Sequence, residues 1–454
     1  MFQNIFKKEQ NLTEGSIFKN LIMFALPFVF ANLLQALYGA CDLIIVGHFT
    51  GESASISSVA IGAQVMFMVM SFIIGLTTGT TVLIGHFFGA QKHDEIQETV
   101  GSVFMFFMIL SVAAFLLMFF FAPNLITVMQ TPKAAYQGAL DYVAICSFGI
   151  IFIFLFNALA SILRGVGNSH APMMFISLGC FINIILDLFF IGYLNLGVKG
   201  AAIATIIAQG LCALLMVLYV RLNKFSFEFR FRKVKFHFDK VKDIIKLGLP
   251  LSFQDAMVQM SFIILLSLAN SMGVDASAGY GTANRLNGFT MLPAFSFAMA
   301  LTPIVAQNIG AKKRLRAKYT LYTAIGCTVI FGLICLIWQQ INPESAIRIF
   351  TPDKNVIAQG ASYLKSFSFD LIIVPFAFCL NAFFNGCGHT AFSMANNLIA
   401  TLLVRVPLAF LITGIFGKSL FNLGVAAPVA SICSVIIAII YLKSGKWRKS
   451  SAFA

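Results

Sequence analysis

Charge is what this chain has least of. Asp, Glu, Lys and Arg make up 11% of its 454 residues, against about a quarter in soluble domains. That excludes an ordinary water-facing globular fold. Disulfide and metal patterns are missing as well. The nine cysteines are odd in number, scattered through apolar runs (Cys41, Cys180, Cys212, Cys433) and never spaced CxxC. Neither a disulfide framework nor a zinc site is indicated. His48, His86, His93, His170, His237 and His389 form no HExxH or paired-metal pattern, and no interfacial carboxylates cluster. Both absences argue against a membrane-embedded enzyme. No cleavable leader is expected, because Met1 to Ser16 is polar and basic and no small-residue cleavage site follows the first apolar run. The sequon Asn11-Leu12-Thr13 is expected inside the cell and is read as chance.

What the chain has is apolar length. Apolar residues make up 59% of it. Runs such as Phe104 to Phe121 are continuously apolar, not alternating, which fits spanning helices and not barrel strands. Twelve spans are expected, near 17–46, 57–86, 97–121, 136–163, 171–193, 198–220, 246–270, 278–308, 317–340, 359–384, 391–415 and 423–443. The formal charge of +14 invites a nucleic-acid partner, but the loops account for it. With Met1 inside, 23 Lys and Arg fall in inner segments and 5 in outer ones. Both termini are therefore expected in the cytoplasm, with no nucleic acid bound.

The sequence also repeats itself. Leu26-Pro27 returns as Leu249-Pro250, Gly89-Ala90 as Gly310-Ala311, and Thr131-Pro132 as Thr351-Pro352. Gly165-Val166-Gly167 returns as Gly386-Cys387-Gly388, and Asn195-Leu196-Gly197-Val198 as Asn422-Leu423-Gly424-Val425. The offset stays between 220 and 227 residues. Six spans per copy is an even number, so the repeats run parallel. The expected architecture is all-α and polytopic, with twelve spans in two six-helix lobes. Residues 1–221 form the first lobe, 222–245 a cytoplasmic linker and 246–454 the second lobe. The linker alternates in part, with Phe225, Phe227, Phe229 and Phe231 between Ser226, Glu228 and Arg230, and its bases are expected to face anionic lipid.

Polar groups at membrane depth are costly and mark function by default. The first span carries Gln35, Tyr38 and Asp42 on one face, the fifth Asn183 and Asp187, the sixth Thr205 and Gln209, and the fourth Tyr142 and Asn157. Asp42, Asp187, Thr205 and Tyr142 each lie roughly 6–11 Å from the outer end of their span, at about 1.5 Å per residue. Two carboxylates, an amide oxygen and a hydroxyl at one level can cage sodium, or the acids can take up a proton. For Asn157 and Gln209 a purely structural hydrogen bond is the stronger reading. The second half carries Gln254, Asp255, Gln259, Arg285, Asp370 and Arg405. A structural ion pair between Asp370 and Arg405 is expected there. Pro27 removes a backbone hydrogen bond inside the first span and is expected to bend it. Most of the 50 Phe and 18 Met are expected to face lipid or the lobe interior.

These residues carry a resemblance. The chain resembles a multidrug and toxic compound extrusion (MATE) transporter over nearly its whole length. The carriers are Leu26-Pro27, Asp42-Leu43-Ile44-Ile45-Val46-Gly47, Gly89-Ala90, Leu163-Arg164-Gly165-Val166-Gly167-Asn168, Asn183-Ile184-Ile185-Leu186-Asp187 and Gly197-Val198-Lys199-Gly200-Ala201-Ala202. The resemblance implies an efflux antiporter of a prokaryotic cytoplasmic (inner) membrane, acting as a monomer without cofactor. It would export organic, often cationic and amphiphilic drugs and bring in H+ or Na+. In one branch of the family a first-lobe network matches Gln35, Tyr38, Asp42, Tyr142, Asn157, Asn183, Asp187 and Thr205. By that match Asp42 and Asp187 carry the coupling ion with Asn183 and Thr205 in support. Gln35, Tyr38, Tyr142 and Asn157 are then substrate-binding candidates, and Pro27 a hinge.

A second branch uses a glutamate on span seven and an aspartate on span ten. Here the glutamate position holds Val258, with Asp255 nearby, and Asp370 falls about one turn from the expected acid. Asp255, Asp370 and Arg405 are therefore secondary candidates. The nearest rival is a lipid-linked oligosaccharide flippase of the same superfamily, for which cationic cavity residues are expected. By the local offsets, Asp42 corresponds to Leu265, Asn183 to Val404, Asp187 to Leu408 and Thr205 to Ile432. The second copy keeps the skeleton and drops the oxygens.

Overall fold

In lipid, backbone N–H and C=O groups find no water, so an apolar run satisfies them within itself as a helix. The computed structural model describes residues 9–223, 225, 227 and 236–448, and no strand occurs among them. The first half folds as α1 (Ile17–Thr50), α2 (Ser53–Gly89), α3 (His93–Val128), α4 (Lys133–Gly165), α5 (His170–Asp187) and α6 (Gly197–Leu222). A π-helical turn, Leu188–Tyr193, continues α5. The second half folds as α7 (Phe238–Asn270), α8 (Val274–Gly310), α9 (Arg314–Ile341), the short α10 (Pro343–Arg348), α11 (Lys354–Phe367), α12 (Asp370–Gly386), α13 (Thr390–Leu398), α14 (Val406–Ile415) and α15 (Leu420–Ser444). A second π-helical turn, Ile399–Arg405, joins α13 to α14.

Among the described residues eleven helical stretches, counting α5 and α13–α14 with their π-helical turns, are long and apolar enough to span a membrane, and α11 with α12, bent by 55°, gives twelve if the pair is one span. The tenth span, expected as one helix over 359–384, is thus broken at Ser368 and Phe369. The central part of the expected linker, 228–235, lies outside the described residues.

The duplication is visible atom by atom. Thr81 Oγ1 donates to Ser161 O at 3.1 Å, and 221 residues later Thr302 Oγ1 donates to Ala382 O at 3.3 Å. Gln91 and Lys312 take the same left-handed turn at φ 59° and 60°, as do Gly167 and Gly388 at 86° and 85°.

The chain forms two compact units. The described residues of unit 1 fall within Met1–Asn11 and Phe30–Ser252, and those of unit 2 within Leu12–Val29 and Phe253–Ala454. The boundaries therefore fall inside α1 and α7, and not in the linker. Each lies two or three residues beyond a proline of the repeat, Pro27 or Pro250.

Local contacts explain the exchange. In unit 1 the start of α7 is held on α2 and α3. His237 N donates to Ser102 Oγ at 3.0 Å, Lys240 pairs with Glu95, and Ser252 Oγ donates to Phe72 O at 2.7 Å. Gly79 and Gly248 let α2 and α7 touch, since a Cβ on Gly79 would lie 2.6 Å from Gly248 N. In unit 2 the entry to α1 is held on α8 and α9. Leu12 N donates to Gln307 Oε1 at 3.0 Å, and Lys313 Nζ donates to Thr13 O at 3.1 Å.

Candidate functional site

The site of unit 1 is built on α1, α4, α5 and α6. A spacing of four residues puts Tyr38 over Asp42 on α1 and Asn183 over Asp187 on α5. Helix α4 runs through the middle of the unit and brings Tyr142. Its close packing on α2 depends on Gly62, where a Cβ would lie 2.4 Å from Cδ1 of the Tyr142 ring.

Asn183 and Asp187 are fully buried, and Asp42 is 5% exposed. The hydrogen-bond pattern orients the Asn183 amide. Its Nδ2 donates to Asp42 Oδ1 at 3.0 Å and to Asp187 Oδ2 at 3.1 Å, and its Oδ1 accepts from Thr205 N at 3.3 Å. Tyr38 and Thr205 share a hydroxyl hydrogen bond of 3.1 Å. One amide thus holds two acids of different helices and ties them to α6. Asp187 Oδ1 is buried and unpartnered. Among the described residues no Lys or Arg pairs with either acid, and no group of three or more His, Cys, Asp or Glu could hold a metal ion.

The structure therefore brings together Tyr38, Asp42, Tyr142, Asn183, Asp187 and Thr205. Neither of the two other candidates of this lobe hydrogen-bonds to these six residues. Gln35 is exposed. Asn157 is buried, but its Nδ2 donates to Ile153 O at 2.9 Å in its own helix and faces Met70 Sδ at 3.8 Å. Cys146, one turn from Tyr142 and buried beside it, had no sequence signal beyond that spacing. The same holds for the π-helical turn that begins directly after Asp187; such turns gather at functional sites.

In unit 2 the expectation of an Asp370–Arg405 ion pair is corrected. Both side chains are buried, yet no carboxylate of the described residues lies within 4.0 Å of Arg405. Its guanidinium packs instead over the Phe262 ring at 4.3 Å. Proximity in chain order did not bring the two charges into contact, because Asp370 sits at the bend of span ten and Arg405 at the end of a π-helical turn. Asp255 is half-buried beside Gln254, whose Nε2 donates to it at 3.5 Å.

Two copies of one six-span unit, with a pair of buried acids bridged by one amide in only one of them, define a membrane transporter. The MatE family model matches residues 27–189 and 250–411, once in each half, and the chain belongs to that family. It is a family of transporters, so the chain is not an enzyme. It is 26% identical to the probable multidrug resistance protein YpnP of Bacillus subtilis, over 98% of this chain and 99% of that protein. It is 27% identical to the probable multidrug resistance protein NorM of Thermotoga maritima, over 99% and 96%. Its fold matches an outward-facing multidrug resistance MATE family transporter of the MOP superfamily with a TM-score of 0.91, at 22% identity over 98% and 99% of the two chains.

Proposed function

We propose that the chain is a secondary active multidrug efflux antiporter. It exports organic, often cationic and amphiphilic compounds in exchange for a cation by alternating access of two lobes. The names of its relatives, multidrug resistance and multidrug export proteins, support export of drugs. The coupling site is Asp42, Asn183, Asp187 and Thr205, with Tyr38 and Tyr142 beside it. The observation that carries this reading is the pair of buried acids held by one amide, with Asp187 Oδ1 left open.

Two neighbouring carboxyl groups at membrane depth attract one positive charge, and either the drug or the coupling ion can supply it. Competition for one site is what couples two fluxes. Of H+ and Na+, the proton is the better match to this arrangement. The Asn183 amide turns its nitrogen toward both acids and its oxygen toward Thr205 N, so it steadies negative charge and offers no lone pair between the acids. A proton needs only the open oxygen of Asp187. The flippase alternative is disfavoured by the same geometry, since the buried charges of unit 1 are acidic. The site operates in the inner membrane of a prokaryote, in a monomer with both termini cytoplasmic.

Dye export from proteoliposomes under separately imposed proton and sodium gradients tests the reading. A proton gradient alone is expected to drive export, and sodium alone is not. Export at the same rate with neither gradient would identify a passive pore.

A further inference from the structure

Cations gather in unit 2 where α9 begins and the chain leaves α15, and they divide by what they touch. Lys313 and Arg316 are taken up by the segment before α1. Lys313 Nζ donates to Thr13 O at 3.1 Å, and Arg316 Nη2 donates to Glu14 O at 2.8 Å. Arg314, Lys318 and Arg448 meet instead around one indole. Lys318 Nζ lies 5.5 Å and Arg448 Cζ 5.7 Å from the centre of the Trp447 ring, and Arg314 Nη2 donates to Arg448 O at 3.0 Å. None of these three pairs with a carboxylate among the described residues. The indole itself is fixed. Helix α15 ends at Gly445, whose left-handed φ of 71° turns the chain back. Trp447 then meets the Phe383 ring edge-on at 5.1 Å, its Nε1 donates to Leu442 O at 3.0 Å, and only 2% of it stays exposed.

The duplication shows that this charge is not inherited from the skeleton. In the register that matches Gly89-Ala90 with Gly310-Ala311, Asp94 and Glu95 of α3 correspond to Leu315 and Arg316 of α9. Helix α3 has two acids in its first turn and α9 has none. A first turn favours negative charge, so cations there are repelled by the turn as well as by one another. A bound anion would offset both repulsions. The surface beside the cations says what else the anion carries. Leu315, Tyr319 and Tyr322 share the face of α9 that holds Lys318, at spacings of three and four, and are 72%, 59% and 52% exposed. An open apolar and aromatic stripe therefore runs from the cations into the span. Free phosphate would leave that stripe bare, whereas an anionic head on an acyl chain covers both.

We propose that Arg314, Lys318 and Arg448 hold the phosphodiester of an anionic phospholipid, with an acyl chain along Leu315, Tyr319 and Tyr322. The lipid ties the start of α9 to the segment after α15, against the fixed ring of Trp447. The site lies wholly within unit 2, shares no residue with the acids of unit 1, and does not depend on which ion couples transport.

The chain has two tryptophans, Trp338 and Trp447, so Trp338→Phe leaves Trp447 as the single reporter. The full-length protein is placed in phosphatidylcholine nanodiscs that contain a fixed fraction of either phosphatidylcholine or phosphatidylglycerol with brominated chains, since bromine quenches indole emission at short range. Brominated phosphatidylglycerol is expected to quench Trp447 as though bound about fivefold or more tightly than the brominated phosphatidylcholine. Arg314→Gln/Lys318→Gln is expected to bring that ratio below about twofold, with an unchanged emission maximum showing that Trp447 keeps its place. Lys242→Gln/Lys246→Gln removes as much charge from unit 1 and is expected to leave the ratio as it was. Should the first variant not fold, the two reporters decide: Trp338, read in Trp447→Phe at the other end of α9, is expected to show a ratio below about twofold. A ratio near one at Trp447, the same ratio at both tryptophans, a ratio that survives loss of Arg314 and Lys318, an equal fall on changing the unit 1 lysines, or relief of quenching by inorganic phosphate at matched ionic strength would overturn the site.

Discussion

The side-chain amide of Asn183 on α5 donates to Asp42 on α1 at 3.0 Å. The same nitrogen reaches Asp187 at 3.1 Å, so the geometry of both acids depends on one residue. Asn183→Leu keeps the shape and removes the donor. Loss of one charge-assisted bond costs about 1.5–3 kcal/mol, and about 1.4 kcal/mol is a factor of ten. Dye export by the reconstituted variant is expected to fall about tenfold or more with normal membrane insertion. An unchanged rate would mean that the amide only holds helices together.

Gly62 makes the space in which Tyr142 stands. A Cβ there would lie 2.4 Å from Cδ1 and 2.9 Å from Cγ of the ring, atoms that cannot give way without moving the side chain. Gly62→Ala is expected to destabilise unit 1 by about 1–3 kcal/mol. Tyr142→Ala should relieve the clash, so the double variant is expected to be more stable than the two single losses added together. A thermal melt of the four proteins in detergent measures this, and strict additivity would show that the contact is not made.

Glu95 and Lys240 hold the start of α7 onto α3 in unit 1. The hydrogen bond from the Lys240 ammonium keeps the Glu95 carboxyl below its ordinary value of 4.5. A carboxylate lowered on folding stabilises the protein above its unfolded value, and that contribution is lost as pH falls through the lower folded value. Glu95 is partly exposed, so solvent screening limits the effect to below about 1 kcal/mol. Glu95→Gln is expected to lower the melting temperature slightly at neutral pH and to match the wild type once the pH is well below 4.5. A difference that persists in acid would place its cause elsewhere.

Pro27 and Pro250 sit two or three residues before the points where α1 and α7 pass from one unit to the other. Each proline deletes a backbone hydrogen bond and weakens its helix there. If these are hinges, Pro27→Ala and Pro250→Ala slow dye export and leave equilibrium dye binding unchanged. Reduced binding with an unaltered turnover rate would assign the prolines to the binding site instead.

The six residues that meet in unit 1 were legible because helical spacing and depth are both readable from a chain. Asp42, Asp187, Thr205 and Tyr142 fall at one level on four spans, and helices of one lobe bring a common level together. The direction of the Asn183 amide was not legible, since either end of an amide fits the same spacing. With both acids as acceptors, the hydrogen-bond pattern turns the amide oxygen toward Thr205 N. The bend at Ser368 and Phe369 was hidden because no Gly or Pro stands at the break; Pro375 lies nearly two turns further on. Apolarity also does not say which neighbour a helix joins. The exchange of the α1 and α7 starts rests on particular contacts, Leu12 with Gln307 and Gly248 with Gly79, that no run of hydrophobic residues encodes.

The most direct measurement is proton-driven dye export by purified protein in proteoliposomes, comparing the wild type with Asp42→Asn/Asp187→Asn. The wild type is expected to move dye uphill when a proton gradient is imposed, and the double variant to show only leak. Gradient-driven export by the double variant at nearly the wild-type rate would contradict a coupling site at Asp42, Asn183 and Asp187.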